Sequence, residues 1–134
     1  MTAINEPYKP RYGLNAYLAG PWSYLRLLVD RRLQAQGSSL GICRFSPVGD
    51  DLSYDERGHL TFAGTRTFTT RRYRYSFPDD HRAHVFFHDK RHFHDMTLAA
   101  GEDRFQHHCP PDHYQGRCRL LTEASWRLEW RVSG

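Results

Sequence analysis

The stretch Glu123-Ala-Ser-Trp-Arg-Leu-Glu-Trp-Arg-Val132 alternates between polar or charged side chains and apolar ones over most of its length. Alternation with a period of two is typical of a β-strand that is buried on one face, because successive side chains point to opposite faces. Trp126, Trp130 and Val132 are therefore expected to face inward, and Arg127 to face solvent. The same pattern, interrupted by short turns, runs backward through most of the chain and predicts its fold.

Similar strands are predicted at Trp22–Arg32, Ser39–Pro47, Asp51–Asp55, His59–Ala63, Thr67–Phe77, Arg82–His88, Arg91–Leu98, Arg104–His108 and His113–Leu121. Turns are predicted between them, including Gln36-Gly37-Ser38 and Arg57-Gly58. A helix is predicted only at Tyr12–Ala19, before Gly20-Pro21. Short connections favour an antiparallel meander, and closure into a barrel would remove its exposed edges. The predicted fold class is all-β, an antiparallel meander closing into a barrel after a short N-terminal helix.

Length and composition indicate a single domain over residues 1–134, with residues 1–11 expected to be flexible. No apolar run approaches the roughly 18 residues that span a membrane, and no signal-peptide pattern opens the chain, so we expect a cytoplasmic protein without a membrane partner. The net charge of +4 comes mostly from arginines spread along strand faces, without a nucleic-acid motif, so no nucleic-acid partner is predicted. The three cysteines lack the spacing of a disulfide framework or a metal site.

Every histidine except His59 and His81 falls between residues 82 and 114. Titratable groups at strand positions indicate a polar pocket rather than a plain core. The first of these histidines lie in a hairpin around Asp89-Lys90, and their arrangement depends on the register of that hairpin.

A two-residue turn at Asp89-Lys90 would pair Phe87 with His92 and Val85 with His94. The other two histidines of the hairpin would then lie on the opposite face from His92 and His94. We favour this register, because two-residue turns are the commonest hairpin connections.

A three-residue loop at positions 89–91 would instead pair His88 with His92 and Phe86 with His94. All four histidines of the hairpin, His84 included, would then share one face and could hold a metal. Under the favoured register no metal site and no cofactor is predicted, although the pair His92 and His94 could still chelate an ion.

Three residues are candidates for catalysis: His94, His107 and Asp112. A carboxylate at a barrel mouth could act as a base or hold a histidine in one tautomer. Cys109, which ends a strand before two prolines, is more consistent with a structural role than with a nucleophile.

Arg71, Tyr73 and Tyr75 share one strand face. If that face is inward, the buried guanidinium needs an anionic partner, for which the sequence offers Asp89, Asp95, Asp112 or a ligand carboxylate. We also expect Arg71, His94, Asp112 and Tyr114 to form one polar network. The predicted ligand-binding residues are Arg71, Tyr73, Tyr75, Phe87, Arg91, His94, Tyr114, Trp126 and Trp130.

Gly20-Pro21-Trp22, which opens the first strand, is similar to the Gly-x-Trp start of lipocalins and other calycins. Five further motifs occur in a fixed order: Tyr54-Asp-Glu56-x-Gly58, Arg71-x-Tyr73-x-Tyr75, Phe87-x-Asp89-Lys90-Arg91-x-Phe93-His94, His107-x-Cys109-x-x-Asp112-x-Tyr114 and Trp126-x-x-x-Trp130-x-Val132-x-Gly134. This order resembles an uncharacterised family of small calycin-like (lipocalin-like) β-barrel proteins, a domain of unknown function. The resemblance covers about residues 15–134 and implies a fold but no established activity. It also implies a turn glycine at the position of Lys90 and a further strand after Gly134.

We therefore predict small-molecule binding in the interior of the barrel, with a ligand that carries a polar or anionic group. One alternative is an enzyme of the isomerase, cyclase or hydrolase type that uses the same cavity with histidine and aspartate as acid–base residues. Another is a structural or interaction protein with a filled barrel. Without the further strand, an open barrel edge could pair with a second copy, which predicts a homodimer.

Overall fold

The computed structural model describes residues 6–30 and 33–133 of the chain. Within them one helix forms, α1 at Leu14–Leu18. The strands are β1 (Gly20–Asp30), β2 (Ala35–Val48), β3 (Asp51–Phe62), β4 (Thr65–Asp79), β5 (Arg82–Phe87), β6 (His92–Thr97), β7 (Glu102–Cys109), β8 (Asp112–Thr122) and β9 (Ser125–Ser133). The predicted all-β fold with a short N-terminal helix is confirmed.

The strands form one sheet in the order β6-β5-β4-β3-β2-β1-β9-β8-β7. Its neighbours are antiparallel except β1 and β9, which pair in parallel over residues 27–30 and 129–132. The predicted meander is confirmed, with a parallel join between its first and last strands. In the described residues β9 is hydrogen-bonded on both sides, to β1 and β8, so the edges of the sheet are β6 and β7 rather than the C-terminal strand. Pairing of two copies through an open edge stays a prediction.

These two edges face each other across a seam that side chains bridge. Nδ1 of His107 on β7 lies 2.9 Å from the carbonyl oxygen of Phe93 on β6. Further along, Oδ2 of Asp103 accepts a hydrogen bond of 2.7 Å from the backbone N–H of Thr97. The barrel is therefore nearly closed, and side chains engage part of the edge backbone that a neighbouring strand would otherwise pair with.

The predicted turn at Arg57-Gly58 is wrong, because β3 continues through it. A Cβ atom on Gly58 would lie 2.4 Å from the carbonyl oxygen of Leu40 on β2, so glycine is required there by a close approach between strands. The turn comes later, at Ala63-Gly64, where both residues have positive φ angles of 52° and 81°.

The predicted turn at Gln36-Gly37-Ser38 is wrong for the same reason. These residues belong to β2 and pair with residues 27–29 of β1. A Cβ atom on Gly37 would approach the carbonyl oxygen of Thr61 to 2.5 Å. The predicted end of the first strand, Arg31–Arg32, lies outside the described residues.

Helix α1 packs against one end of the barrel. Leu14 and Leu18 are almost fully buried in the core, and the indole N–H of Trp22 donates a 2.7 Å hydrogen bond to the carbonyl of Leu18. Part of the segment before the helix is also held in place, since the backbone N–H of Tyr8 donates to the carbonyl of Leu120 at 2.8 Å. The flexibility expected of residues 1–11 stays a prediction, and residues 1–5 lie outside the described chain.

Candidate ligand-binding site

A buried ion pair lies on the inner face of the barrel. Arg26 of β1 reaches across β2 to Glu56 of β3, with Nη1–Oε2 and Nη2–Oε1 distances of 3.1 and 2.7 Å. The side chain of Glu56 is fully enclosed, and that of Arg26 is 12% exposed. The hydroxyl of Tyr54 donates a further hydrogen bond to Oε1 of Glu56. A bidentate, charge-assisted pair with an added donor satisfies most of the polar atoms that burial removes from water.

Arg71 of β4 flanks the same carboxylate. Its Nε lies 3.6 Å from Oε2 of Glu56, and its Nη1 donates to the hydroxyl of Tyr73 at 3.2 Å. The inward orientation predicted for Arg71 agrees with these contacts, although 44% of its side chain remains exposed. Two guanidinium groups thus share one carboxylate, which leaves a surplus positive charge on this part of the inner face.

Two of the aspartates named from the sequence as partners of Arg71 are engaged elsewhere. Asp89 pairs with Arg91 at 2.7 Å, and Asp95 pairs with histidines on the outer face. Glu56 takes that role instead, because the β3–β4 register sets Glu56 directly opposite Arg71. The predicted network of Arg71, His94, Asp112 and Tyr114 stays a prediction.

Glu56 stays ionised although burial opposes it. Burial raises the pKa of the carboxyl, but the hydrogen bonds and positive charge of Arg26, helped by Tyr54 and Arg71, outweigh burial and hold the pKa below its usual value. Burial, and then the negative charge of Glu56, raises the pKa of Tyr54 far above its ordinary value. Tyr54 therefore remains a hydrogen-bond donor at all physiological pH values.

A cavity of about 10 Å³ lies beside the ion pair. Two of its lining residues carry buried polar atoms with no hydrogen-bond partner in the described part of the chain, namely Nε of Arg26 and Nδ1 of His94. His94 is 3% exposed, and burial lowers its pKa to about 3, so its imidazole is neutral at pH 7. Such a cavity holds about one water or one small polar group, which could donate to one of these atoms and accept from the other.

Aromatic side chains fill the rest of the interior near His94. The rings of His94 and Phe105 stack at 4.3 Å, and those of Phe93 and Trp130 stack at 5.1 Å. Gly116 on β8 makes this possible, because a Cβ atom there would lie 2.1 Å from the Phe105 ring. The interior is thus a packed aromatic core around one small polar cavity.

A larger space opens through the barrel wall between β1 and β9. These strands pair only over residues 27–30 and 129–132, and beside the unpaired parts lies a cleft of about 220 Å³. Four residues line both this cleft and the inner cavity: Arg26, Tyr54, Trp126 and Leu128. The cleft and the polar cavity therefore share part of their walls.

The histidine hairpin adopts a register that neither sequence alternative describes in full. Val85 pairs with His94, as the two-residue turn predicts, but nearer the turn Phe86 pairs with His92. A β-bulge absorbs the extra residue, Phe93. The predicted pairing of Phe87 with His92 is therefore wrong.

The turn itself explains this bulge. The backbone N–H of Phe87 donates to the carbonyl of Arg91 at 2.8 Å, which leaves a three-residue loop at positions 88–90. Lys90 takes a positive φ of 75°, the conformation for which related sequences are expected to use glycine. Such a loop ends in a residue of left-handed conformation and shifts the pairing by one position relative to a two-residue turn. The bulge at Phe93 shifts it back, so that Val85 still pairs with His94.

The bulge places neighbouring histidines on opposite faces. His94 points into the core, whereas His92 is exposed, and its Nε2 lies 2.7 Å from Oδ1 of Asp95. His84 joins it there, with Nδ1 2.7 Å from the same oxygen. The expected same-face pair of His92 and His94 is therefore wrong. Among the described residues, no three histidine, cysteine or acidic side chains are grouped so as to hold a metal.

The three candidate catalytic residues occupy different settings. His94 lies in the core, and His107 is tied to the carbonyl of Phe93 across the seam. The Phe93 ring packs against both, at 4.7 Å from the His94 ring and 4.9 Å from the His107 ring. Asp112 closes the β7–β8 turn opposite Cys109.

Five of the predicted ligand-binding residues line the inner cavity: Tyr73, Tyr75, His94, Trp126 and Trp130. Phe87 stacks on Phe93 at 4.6 Å, and the Tyr114 ring lies 5.9 Å from that of His107. Arg91 lies apart from the cavity, where it packs over the Phe87 ring.

Sequence reasoning missed Arg26, Glu56 and Tyr54 as site residues. The available signal was a charge in the apolar phase of a strand, since Arg26 follows Trp22 and Tyr24 at a spacing of two. Glu56 follows Leu52 and Tyr54 in the same way. Each placed one charge on an inward face.

Comparison with known proteins gives the family without an activity. Searches among curated proteins and among solved structures returned no match. No helix in the described ranges is long and apolar enough to cross a membrane. A family of unknown function, DUF6314, matches residues 18–134. This match spans the whole barrel, and the chain therefore belongs to that family.

Proposed function

We propose that this barrel binds a small organic molecule with a polar or anionic group, which enters between β1 and β9. The observation that carries the proposal is the pair of unpartnered atoms, Arg26 Nε and His94 Nδ1, beside one cavity that adjoins an open cleft. A buried polar atom without a hydrogen-bond partner costs about 1–3 kcal/mol. A ligand group that forms hydrogen bonds with both atoms would remove that cost, which favours its binding.

The charges of the site favour an anionic or strongly polar group. Arg26 and Arg71 carry two positive charges around the single negative charge of Glu56, and His94 is neutral. The surplus charge lies in a partly desolvated setting, where electrostatic attraction is stronger than in water.

The available volume limits the size of the ligand. The inner cavity of about 10 Å³ accepts only a polar head group, and the cleft of about 220 Å³ would take the apolar remainder. Ligand pockets usually measure about 300–1,000 Å³, and the two spaces together fall below that range, so we expect a ligand smaller than most. Trp126 and Leu128 would form its apolar walls.

The fold also supports a calycin-like assignment. A short helix packs over one end of the barrel, and the strand that follows it begins with Gly20-Pro21-Trp22, with the indole tied to that helix. Up-and-down barrels of this kind commonly hold one small ligand, which agrees with the proposed activity.

Native mass spectrometry of freshly purified protein tests the proposal through a retained ligand mass. A second arm titrates the protein with 1-anilinonaphthalene-8-sulfonate, which joins an apolar ring system to an anionic group. We expect saturable binding that Leu128→Trp weakens at least tenfold by filling the cleft. Leu40→Trp, on the exposed outer face of β2, is the matched control and should bind as the parent does. Circular dichroism confirms that both variants fold.

A filled barrel with a structural or interaction role is the second candidate, and the inner cavity of only about 10 Å³ favours it. The same experiment distinguishes the two. Absence of any retained mass together with absence of saturable probe binding would reject the ligand-binding proposal. Equal probe binding by Leu128→Trp and Leu40→Trp would reject the cleft as its site.

A further inference from the structure

The β7–β8 hairpin brings two histidines together on the surface of the barrel. Cys109 and Asp112 flank its turn, and the next pair along the ladder is His108 opposite His113. The two Nδ1 atoms lie 3.4 Å apart, with ring centroids at 5.7 Å and the ring planes tilted by 52°. His108 is exposed and His113 is half-buried, so solvent reaches the pair.

The spacing of these two nitrogens is informative. It is long for a hydrogen bond between imidazoles, since N–H donors usually lie about 2.9–3.0 Å from their acceptors. It does match two ligands of one tetrahedral ion: with metal–nitrogen bonds of about 2.0–2.1 Å, neighbouring nitrogens are separated by about 3.3–3.4 Å. Two neutral imidazoles at this distance can direct lone pairs at one ion with little rearrangement.

We propose that His108 and His113 form a surface site for a divalent transition-metal ion such as Zn²⁺, Cu²⁺ or Ni²⁺. Imidazole nitrogen suits these ions, whereas Mg²⁺ and Ca²⁺ prefer oxygen ligands. Because no third metal-binding side chain is grouped with the pair within the described residues, water completes the coordination. The ion is therefore held more weakly than in a three- or four-ligand site and exchanges with solution.

The other surface histidine pair is less prepared for a metal. His84 and His92 each direct a ring nitrogen at Oδ1 of Asp95, at 2.7 Å. A metal there would have to replace both hydrogen bonds. The two pairs therefore make a matched comparison on neighbouring hairpins, and neither is part of the proposed ligand cleft.

Isothermal titration of chelator-treated protein with ZnCl₂, and separately with CuCl₂, tests this site. We expect about one ion per chain, with copper bound more tightly than zinc, as imidazole ligands generally dictate. His108→Asn and His113→Asn should each weaken binding at least tenfold, and the double variant His84→Asn/His92→Asn should change it less than twofold.

Electron paramagnetic resonance of the copper complex should show nitrogen coordination that disappears in His108→Asn. Zinc binding that survives both single substitutions, or that is lost only in His84→Asn/His92→Asn, would overturn the assignment. No saturable binding up to about 1 mM ion would overturn it too, because two pre-positioned imidazoles should bind below that concentration.

Discussion

The inner face of β1, β3 and β4 and the outer face of β5 to β8 both concentrate titratable groups, but with different consequences. On the outer face, His84, His92 and His108 are solvent-accessible and make local contacts. On the inner face a single carboxylate, Glu56, is fully enclosed between two arginines. The number of histidines drew attention to the outer region, whereas burial makes the inner one energetically demanding. One buried charge on the inner face is therefore expected to affect the free energy of unfolding more than several exposed charges on the outer face.

The physical reason is the local dielectric. Exposed ion pairs contribute about 0–1 kcal/mol, because water and salt screen them. A buried ion pair is costly to form, and removal of one partner leaves the other charge unpaired in a medium that solvates it poorly.

The largest expected effect therefore comes from Arg26→Met. It leaves the enclosed carboxylate of Glu56 without its bidentate partner and should lower the free energy of unfolding by about 3–5 kcal/mol. Arg72→Met is the control, since Arg72 pairs with Asp55 on the outer face at 3.2 Å, with both side chains exposed, and should cost less than about 1 kcal/mol. Urea unfolding monitored by tryptophan fluorescence measures both.

Removing both charges of the ion pair tests whether the unpaired carboxylate causes the loss of stability. The double variant Arg26→Met/Glu56→Gln removes both members of the pair and should recover part of the loss, because no unpaired carboxylate remains. If Arg26→Met and Arg72→Met destabilised the protein equally, the contrast between the inner and outer faces would fail.

The next effect concerns pH and His94, which is buried in the core. His94 has a folded-state pKa of about 3, whereas its ordinary value is 6.5. Between these pH values the unfolded chain therefore binds a proton at this histidine and the folded chain does not. Stability contributed by the neutral imidazole is thus lost as pH falls from about 6.5 towards 3, and about 2 kcal/mol is gone at pH 5. Glu56 does not interfere at pH 5, because its folded pKa lies below 4.5.

His94→Phe should remove this pH dependence. Phenylalanine can keep the stacking on Phe105 and Trp130 but cannot bind a proton. We expect the loss of unfolding free energy between pH 7.5 and 5 to shrink by about 2 kcal/mol relative to the parent. Equal pH profiles for the parent and His94→Phe would contradict the conclusion that burial keeps His94 neutral.

Much of the barrel could be predicted from the sequence, because the periodicity of a strand reports which face is buried. The inward positions of Trp130 and Tyr75 agree with that pattern. Contacts between strands that are distant in sequence are harder to predict: the registers set Arg26 level with Ser39 and Leu60, so its ion pair with Glu56 is a diagonal contact that strand order alone does not give. A shift of one residue in either register would separate them.

Local backbone geometry sets a second limit on prediction. Alternation places His92 and His94 on one face, and only the bulge at Phe93 separates them. The turn next to the bulge requires a positive φ at Lys90, a conformation that lysine rarely adopts and that its identity does not indicate. Similarly, glycines within strands, such as Gly58, look like turns until the close approach of the neighbouring strand is known.

The smallest effect compares two adjacent histidines on β7. His107 faces the interior and its Nδ1 lies 2.9 Å from the carbonyl of Phe93 across the seam, whereas His108 faces solvent. His107→Phe should lose that hydrogen bond and lower the free energy of unfolding by about 0.5–1.5 kcal/mol. His108→Phe should stay within about 0.5 kcal/mol of the parent, provided that a chelator keeps metal ions away from it. Both residues lie on β7, and both variants replace histidine with phenylalanine. The change in intrinsic strand preference is therefore the same in the two variants. A difference in unfolding free energy then reports the contacts of His107, and equal values would mean that its hydrogen bond to Phe93 contributes nothing to closing the barrel.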